Sequence, residues 1–134
     1  MQFYLAVKGI VRNAEGKILV MKRSDKDDHR PGVWETPGGG IDHEEAPEKS
    51  LEREIMEETG LSVTVKEPFN VFTFRKDTGE FKVGITFLCD AKEGEVKLSS
   101  EHSEYAWIHP SEFQDLESIE SLYNEIANYA KKYE

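Results

Sequence analysis

Three glutamates, Glu54, Glu57 and Glu58, fall at i, i+3 and i+4 of a stretch that reads as helix. That spacing sets Glu57 and Glu58 side by side one turn above Glu54, all on one face. Three like charges held together raise one another's pKa unless a cation neutralises them. Carboxylate oxygens are the ligands of hard cations such as Mg²⁺ and Mn²⁺. Mg²⁺ usually keeps several waters and takes one or two carboxylates, which leaves positions for a phosphate substrate. The competing reading, an exposed acidic helix face, needs no ion.

The elements that must position these residues are local. Pro47 suits a first helical position, where its missing N–H would go unpaired anyway. Acidic residues crowd the first turn, where the helix dipole favours them. Leu51 and Ile55, four apart, give a buried stripe with Met56 at its edge, and Gly60 follows as a left-handed cap. Ahead of the helix stands Gly38-Gly39-Gly40, read as a glycine-rich loop. Between residues 38 and 61, eight carboxylates oppose two bases (Lys49 and Arg53), so the stretch carries −6 of the chain's −10.

The order of residues here is more specific than the charge. Gly39, Glu45, Arg53-Glu54-Ile55, Glu57-Glu58 and Gly60-Leu61 fill nine fixed positions across residues 39–61, and the pattern is similar at each of them to the signature of the Nudix (MutT-like) hydrolases. The resemblance implies an α/β/α sandwich, a mixed β-sheet carrying a loop–helix–loop catalytic motif. It also implies a Mg²⁺-dependent pyrophosphohydrolase, in which Mn²⁺ can substitute, cleaving a nucleoside diphosphate linked to another group. The expected substrates are (deoxy)nucleoside triphosphates or a nucleotide sugar such as ADP-ribose. Carried over residue by residue, Glu57 and Glu58 match the principal metal ligands, Glu54 a ligand or base, and Arg53 the arginine that orients them, with Glu45 its partner. A loop glycine carbonyl, of Gly38 or Gly39, would complete the metal shell. One further acid from a distant loop would serve as ligand or general base; Glu101 and Glu104 are the candidates, Glu101 the favoured one. Metal bound at Glu54, Glu57 and Glu58 would neutralise phosphate oxygens and activate water for in-line attack.

Two rival readings of the same pattern are a non-catalytic Nudix-like module that senses a nucleotide, and an isopentenyl diphosphate isomerase. A sensor would be expected to lose part of the acidic cluster or to carry a DNA-binding domain. The isomerase would want a catalytic cysteine with a histidine set, and the lone Cys89 sits in a strand-like run, GITFLCDA, as a buried apolar residue. His29, His43 and His109 form no ligand spacing with it, so no zinc site is expected. His102, beside Glu101, could titrate near neutrality but reads as polar loop surface.

Composition excludes other classes. The 134 residues suit one domain, 1–134, with a sizeable core. A net charge of −10 argues against a nucleic-acid partner, since such proteins face phosphates with Lys and Arg. It does not exclude a small nucleotide, because bound cations reverse the local sign of a carboxylate site. No apolar run approaches the roughly 20 residues that span a bilayer, so no membrane partner is expected. No secretory leader is visible, and a cytoplasmic monomer or homodimer follows by default.

Along the chain, Phe3 to Val11 and Lys17 to Arg23 read as strands around a turn at Asn13–Gly16, and Val33 to Thr36 as a short strand. Asp25, Asp27 and Asp28 invite an EF-hand, but Arg30 and Thr36 stand where its Gly and Glu belong. Ser62 to Val65 and Asn70 to Phe74 read as separate strands broken by Pro68. Phe81 to Ala91 pairs back across a turn at Asp77–Glu80. Val96 to Leu98 and Tyr105 to Ile108 read as short strands around a loop. His109-Pro110-Ser111 starts the last helical region, which carries Ile119, Leu122, Tyr123, Ile126 and Tyr129 or Ala130 at helical spacing. Lys22 and Arg23, at a strand end, could reach phosphates. Phe72, Phe74, Tyr4 and Trp34 could stack on a base, although Phe72 and Phe74 at strand spacing read as core.

Overall fold

The computed structural model describes residues 4–26, 30–41 and 44–134. Asp27, Asp28, His29 and His43 therefore lie outside the described residues. Seven strands form one mixed sheet: β1 (Tyr4–Arg12), β2 (Ile18–Arg23), β3 (Trp34–Glu35), β4 (Gly38–Gly40), β5 (Val63–Arg75), β6 (Phe81–Ala91) and β7 (His102–Ile108). The main order is β3-β2-β1-β6-β5, with β4 joined to β1 and β7 to β2. β1 and β6 run parallel, and the other pairs are antiparallel.

Alternation along the central strands feeds two cores, one on each face. Val7, Val11, Leu19, Met21, Phe87 and Cys89 point to one face, where α1 (Pro47–Thr59) inserts Leu51 and Ile55. Ile10, Ile18, Val20 and Leu88 point to the other, covered by Ile126 and Tyr129 of α2 (Glu120–Tyr133) and by Phe113 of a 3₁₀ turn at Pro110–Asp115. The result is the expected α/β/α sandwich. Pro47 opens α1, and Gly60, at φ 73°, closes it by donating its N–H to the Met56 carbonyl.

Several local expectations change. The glycine stretch is a strand, β4, with Gly38, Gly39 and Gly40 opposite Lys8, Val7 and Ala6. Pro68 does not divide β5; register shifts on both sides absorb it and pairing with β6 continues. Met56 is exposed. Val96 to Leu98 forms no strand, because its backbone serves the end of α1 instead. The Lys97 N–H donates to the Thr59 carbonyl at 2.7 Å and the Ser99 N–H to that of Glu58 at 3.1 Å. These bonds satisfy carbonyls that a helix end leaves open, and they bring residues 99–101 against the acidic helix face.

Candidate active site

β4 and α1 meet through glycine. Gly38 has φ +149°, and a Cβ there would lie 2.1 Å from the Val7 carbonyl oxygen. Its N–H donates to Glu58 Oε1 at 2.8 Å. A Cβ on Gly39 would lie 2.9 Å from Glu54 Cδ and Oε2, so the absence of a side chain lets the Glu54 carboxylate rest on the strand.

Arg53 gathers the other acids. Its Nε donates to Glu45 Oε1 at 2.9 Å, and its Nη1 lies 3.1 Å from Glu57 Oε1 and 3.5 Å from Glu54 Oε1. Hydrogen bonds to Glu45 and then Glu57 push its pKa above the ordinary arginine value. One guanidinium thus spans three carboxylates, a task suited to its planar fork.

Glu58 is buried, unlike Glu57. Burial pushes its carboxyl up to about 7, against the pull of Lys8, the Gly38 N–H and His102. Glu58, Glu101 and His102 offer ligand atoms that all lie within 4.8 Å of one another. Glu101 is exposed at the loop tip, whereas the His102 ring is buried, with Nε2 2.8 Å from Glu35 Oε2. Its Nδ1 has no hydrogen-bond partner. Glu35 lies between cations, 3.8 Å from Lys8 Nζ and 3.1 Å from Arg23 Nη1. Burial raises the Glu35 carboxyl, but Lys8, the His102 hydrogen bond and Arg23 outweigh it and hold it down to about 2.

Of the residues singled out from sequence, the structure brings Glu54, Glu57 and Arg53 together on α1, sets Glu54 against Gly39, and places Glu101 beside Glu58. Glu104 stands apart, paired with Lys22 at 3.3 Å on the surface. Lys8 and Glu35 were not anticipated, and His102, read as polar loop surface, is instead a buried residue of β7. Glu35 lay inside the strand-like VWET run, and His102 was adjacent to Glu101, but neither had a pattern that announced a charge network.

A cavity of about 560 Å³ opens beside this network, with Lys8, Arg23 and Glu35 in its wall. Trp34, Phe72 and Phe74 also line it. Phe72 and Phe74 stack on each other with centroids 5.9 Å apart, and neither joins a core cluster, which corrects the expectation of two core phenylalanines. Lys22 and Tyr4 are not among the lining residues; Tyr4 is exposed, with Lys82 over its ring. No helix among the described residues is long and apolar enough to cross a membrane.

A family model described as the NUDIX domain matches residues 3–129. A MutT-like protein of Streptomyces ambofaciens is 34% identical over 111 residues, which cover 83% of this chain and 67% of that protein. A nucleoside triphosphatase, NudI, from an Escherichia coli strain is 31% identical over 109 residues, covering 73% and 77%. The solved MutT protein of Methanosarcina mazei Go1 superposes with a TM-score of 0.81 at 26% identity, over 97% of this chain and 94% of that one.

Proposed function

The chain belongs to the Nudix hydrolase family, and from that premise we propose a Mg²⁺-dependent pyrophosphohydrolase acting on nucleoside triphosphates. The observation that carries this reading is the junction of a carboxylate cluster with a cation-walled cavity of nucleotide size. The similarity to a nucleoside triphosphatase favours triphosphates over nucleotide sugars.

The donor set fits a divalent cation. Glu58 is a buried carboxylate at the edge of ionisation, Glu101 lies within reach, and a buried histidine nitrogen has no partner. Glu54, Glu57 and Glu58 would hold the ion, and the Gly39 carbonyl is the backbone candidate. When bound, a divalent cation neutralises phosphate oxygens and acidifies water. The protein's own groups do the rest. Arg53 fixes the carboxylates of Glu54 and Glu57, so they need not reorganise during reaction. Lys8 and Arg23 line the path from cavity to cluster and attract the phosphates. Glu101 is loop-borne and exposed, so it can reach a water and take its proton as general base.

The test is chromatographic analysis of the products (nucleoside mono- and diphosphates, sugar phosphate, phosphate and pyrophosphate) from a panel of nucleoside triphosphates, ADP-ribose and dinucleoside polyphosphates, with Mg²⁺, Mn²⁺ or EDTA, for the wild type and Glu57→Gln. Metal-dependent release from triphosphates is expected. In Glu57→Gln it should fall at least about a hundredfold, the scale of several kcal/mol of lost charge stabilisation, without loss of folding. Unchanged turnover in that variant would overturn the site, and preferential ADP-ribose cleavage would overturn the substrate class.

A further inference from the structure

The cavity's polar floor is built by residues that the hydrolytic chemistry leaves unused. Glu125 of α2 is 7% exposed and lines the cavity. Two groups from the sheet bind it, and both choose the same oxygen: Asn70 Nδ2 donates to Oε2 at 2.8 Å and Thr86 Oγ1 donates to Oε2 at 3.0 Å. No described residue donates to Glu125 Oε1, nor to Asn70 Oδ1. Both are strong acceptors on residues of the cavity wall, open to a donor that the cavity takes in. Thr86 commits its one hydroxyl hydrogen to Oε2, and Asn70 one of its two amide hydrogens. Thr36 adds a buried hydroxyl with no partner in the same wall.

Flat apolar surface stands above this floor. Trp34 comes from β3, and Phe72 lies so close on Gly84 that a Cβ at residue 84 would be 2.2 Å from Phe72 Cζ. Aromatic walls over a hydrogen-bonding floor suit a planar heterocycle. The floor decides which one. Among the common bases, only guanine presents two adjacent N–H donors, its ring imino and exocyclic amino groups, beside a carbonyl. Two free acceptors and a spare hydroxyl complement that edge. Adenine and cytosine place an acceptor nitrogen next to their amine. Uracil and thymine flank a single N–H with carbonyls, which a carboxylate repels.

We propose that this cavity selects a guanine-type base, with Glu125 as the specificity-determining residue that receives its imino and amino hydrogens. The proposal rests on the hydrolase reading of the adjoining cluster for its substrate, but not for its binding.

Two measurements separate the two. The first is calorimetric binding of GMP, IMP and UMP in EDTA to the wild type and to Glu125→Gln. The second is kcat/KM for GTP, ITP, ATP, CTP and UTP with Mg²⁺. IMP and ITP lack only the exocyclic amine. The wild type is expected to prefer guanine over hypoxanthine and uracil by about tenfold or more, the scale of one good bidentate base contact. In Glu125→Gln, whose amide puts a donor where an acceptor stood, that ratio should fall towards one. The wild-type ranking needs no variant, so a folding defect in Glu125→Gln leaves the test intact. A flat wild-type ranking, or a guanine preference that survives in folded Glu125→Gln, would overturn the inference and leave Glu125 a strut between α2 and the sheet. Selective GMP binding with no hydrolysis of any triphosphate would overturn the hydrolase reading and leave the inference standing.

Discussion

Replacing Glu58 by glutamine should stabilise the metal-free protein while destroying its metal site. Glu58 is raised from 4.5 to about 7, chiefly by burial. A carboxyl raised in the folded state costs nothing below its unfolded pKa, where both states are protonated. Its penalty grows as pH rises through 4.5 and is complete above 7. Raising the carboxyl from 4.5 to about 7 corresponds to about 3 kcal/mol at the alkaline limit. At about pH 5 the same linkage leaves a penalty of only about 0.8 kcal/mol, so the advantage of Glu58→Gln should widen by about 2.5 kcal/mol between about pH 5 and pH 8.5. The amide keeps an oxygen to accept the Gly38 N–H, so the change isolates the charge.

The assay is urea denaturation of both proteins in EDTA across that pH range, taking the difference between them so that other titrating groups cancel. Adding Mg²⁺ should then stabilise the wild type through binding to the folded state alone and leave the variant nearly unmoved. A difference that stays flat with pH, or a variant less stable at high pH, would refute the claim that Glu58 is an uncompensated buried charge. An equal gain from Mg²⁺ in both would remove Glu58 from the metal site.

Glu35 should behave with the opposite sign. Its pKa is held down to about 2, so its contribution is present above its ordinary 4.5 and is lost as pH falls towards 2. Glu35→Gln should therefore cost about 3 kcal/mol near neutrality and progressively less in acid, read by the same denaturation series. Gly38→Ala should fail to fold or lose more than about 3 kcal/mol, because its Cβ would overlap the Val7 carbonyl oxygen and its φ is +149°; circular dichroism and thermal melting would show it. Cys89 is fully buried, and burial pushes its thiol up to about 12, so a disulfide reagent should leave the native protein unlabelled at pH 8 and label it in denaturant.

Much of this could be read from the chain because the signals were local. The helix of residues 47–59 announces itself by Pro47, the Leu51–Ile55 stripe and Gly60, all of which act within a few residues. The strands around Val7, Leu19 and Phe87 follow from apolar content, but their continuous hydrophobicity hid which face each residue serves, and only the parallel β1–β6 pairing sorts them. The failures were non-local. Val96 to Leu98 looks like a strand until the open carbonyls of Thr59 and Glu58 claim the N–H groups of Lys97 and the adjoining Ser99. Phe72 and Phe74 have the spacing of core residues, yet they sit on an outer strand, where the layer above is an open cavity. Lys8, Glu35 and His102 are far apart in sequence, so no spacing rule could join them. Glu125 was overlooked because an acid within an amphipathic helix reads as surface.

Half-buried Glu35 and buried Glu58 show what the site requires. Glu35 lies close enough to raise the cost of ionising Glu58, and both feel Lys8. Glu35 also receives Arg23 and the His102 hydrogen bond, whereas Glu58 has one backbone N–H and only the longer-range pull of Lys8 and His102. The protein thus neutralises one carboxylate with its own cations and leaves the other short of positive charge. Supplying another lysine would have been simple, and would have filled the space with a fixed charge of +1. A deficit left beside Glu101 and a partnerless histidine nitrogen instead favours a small ion of higher charge with open coordination positions. On this argument, binding that ion should release close to one proton near pH 6 and fewer at pH 8.5, as Glu58 ionises beforehand. Calorimetry of Mg²⁺ binding in buffers of different ionisation enthalpy measures that number, and a release that did not depend on pH would show that Glu58 is not the group the ion completes.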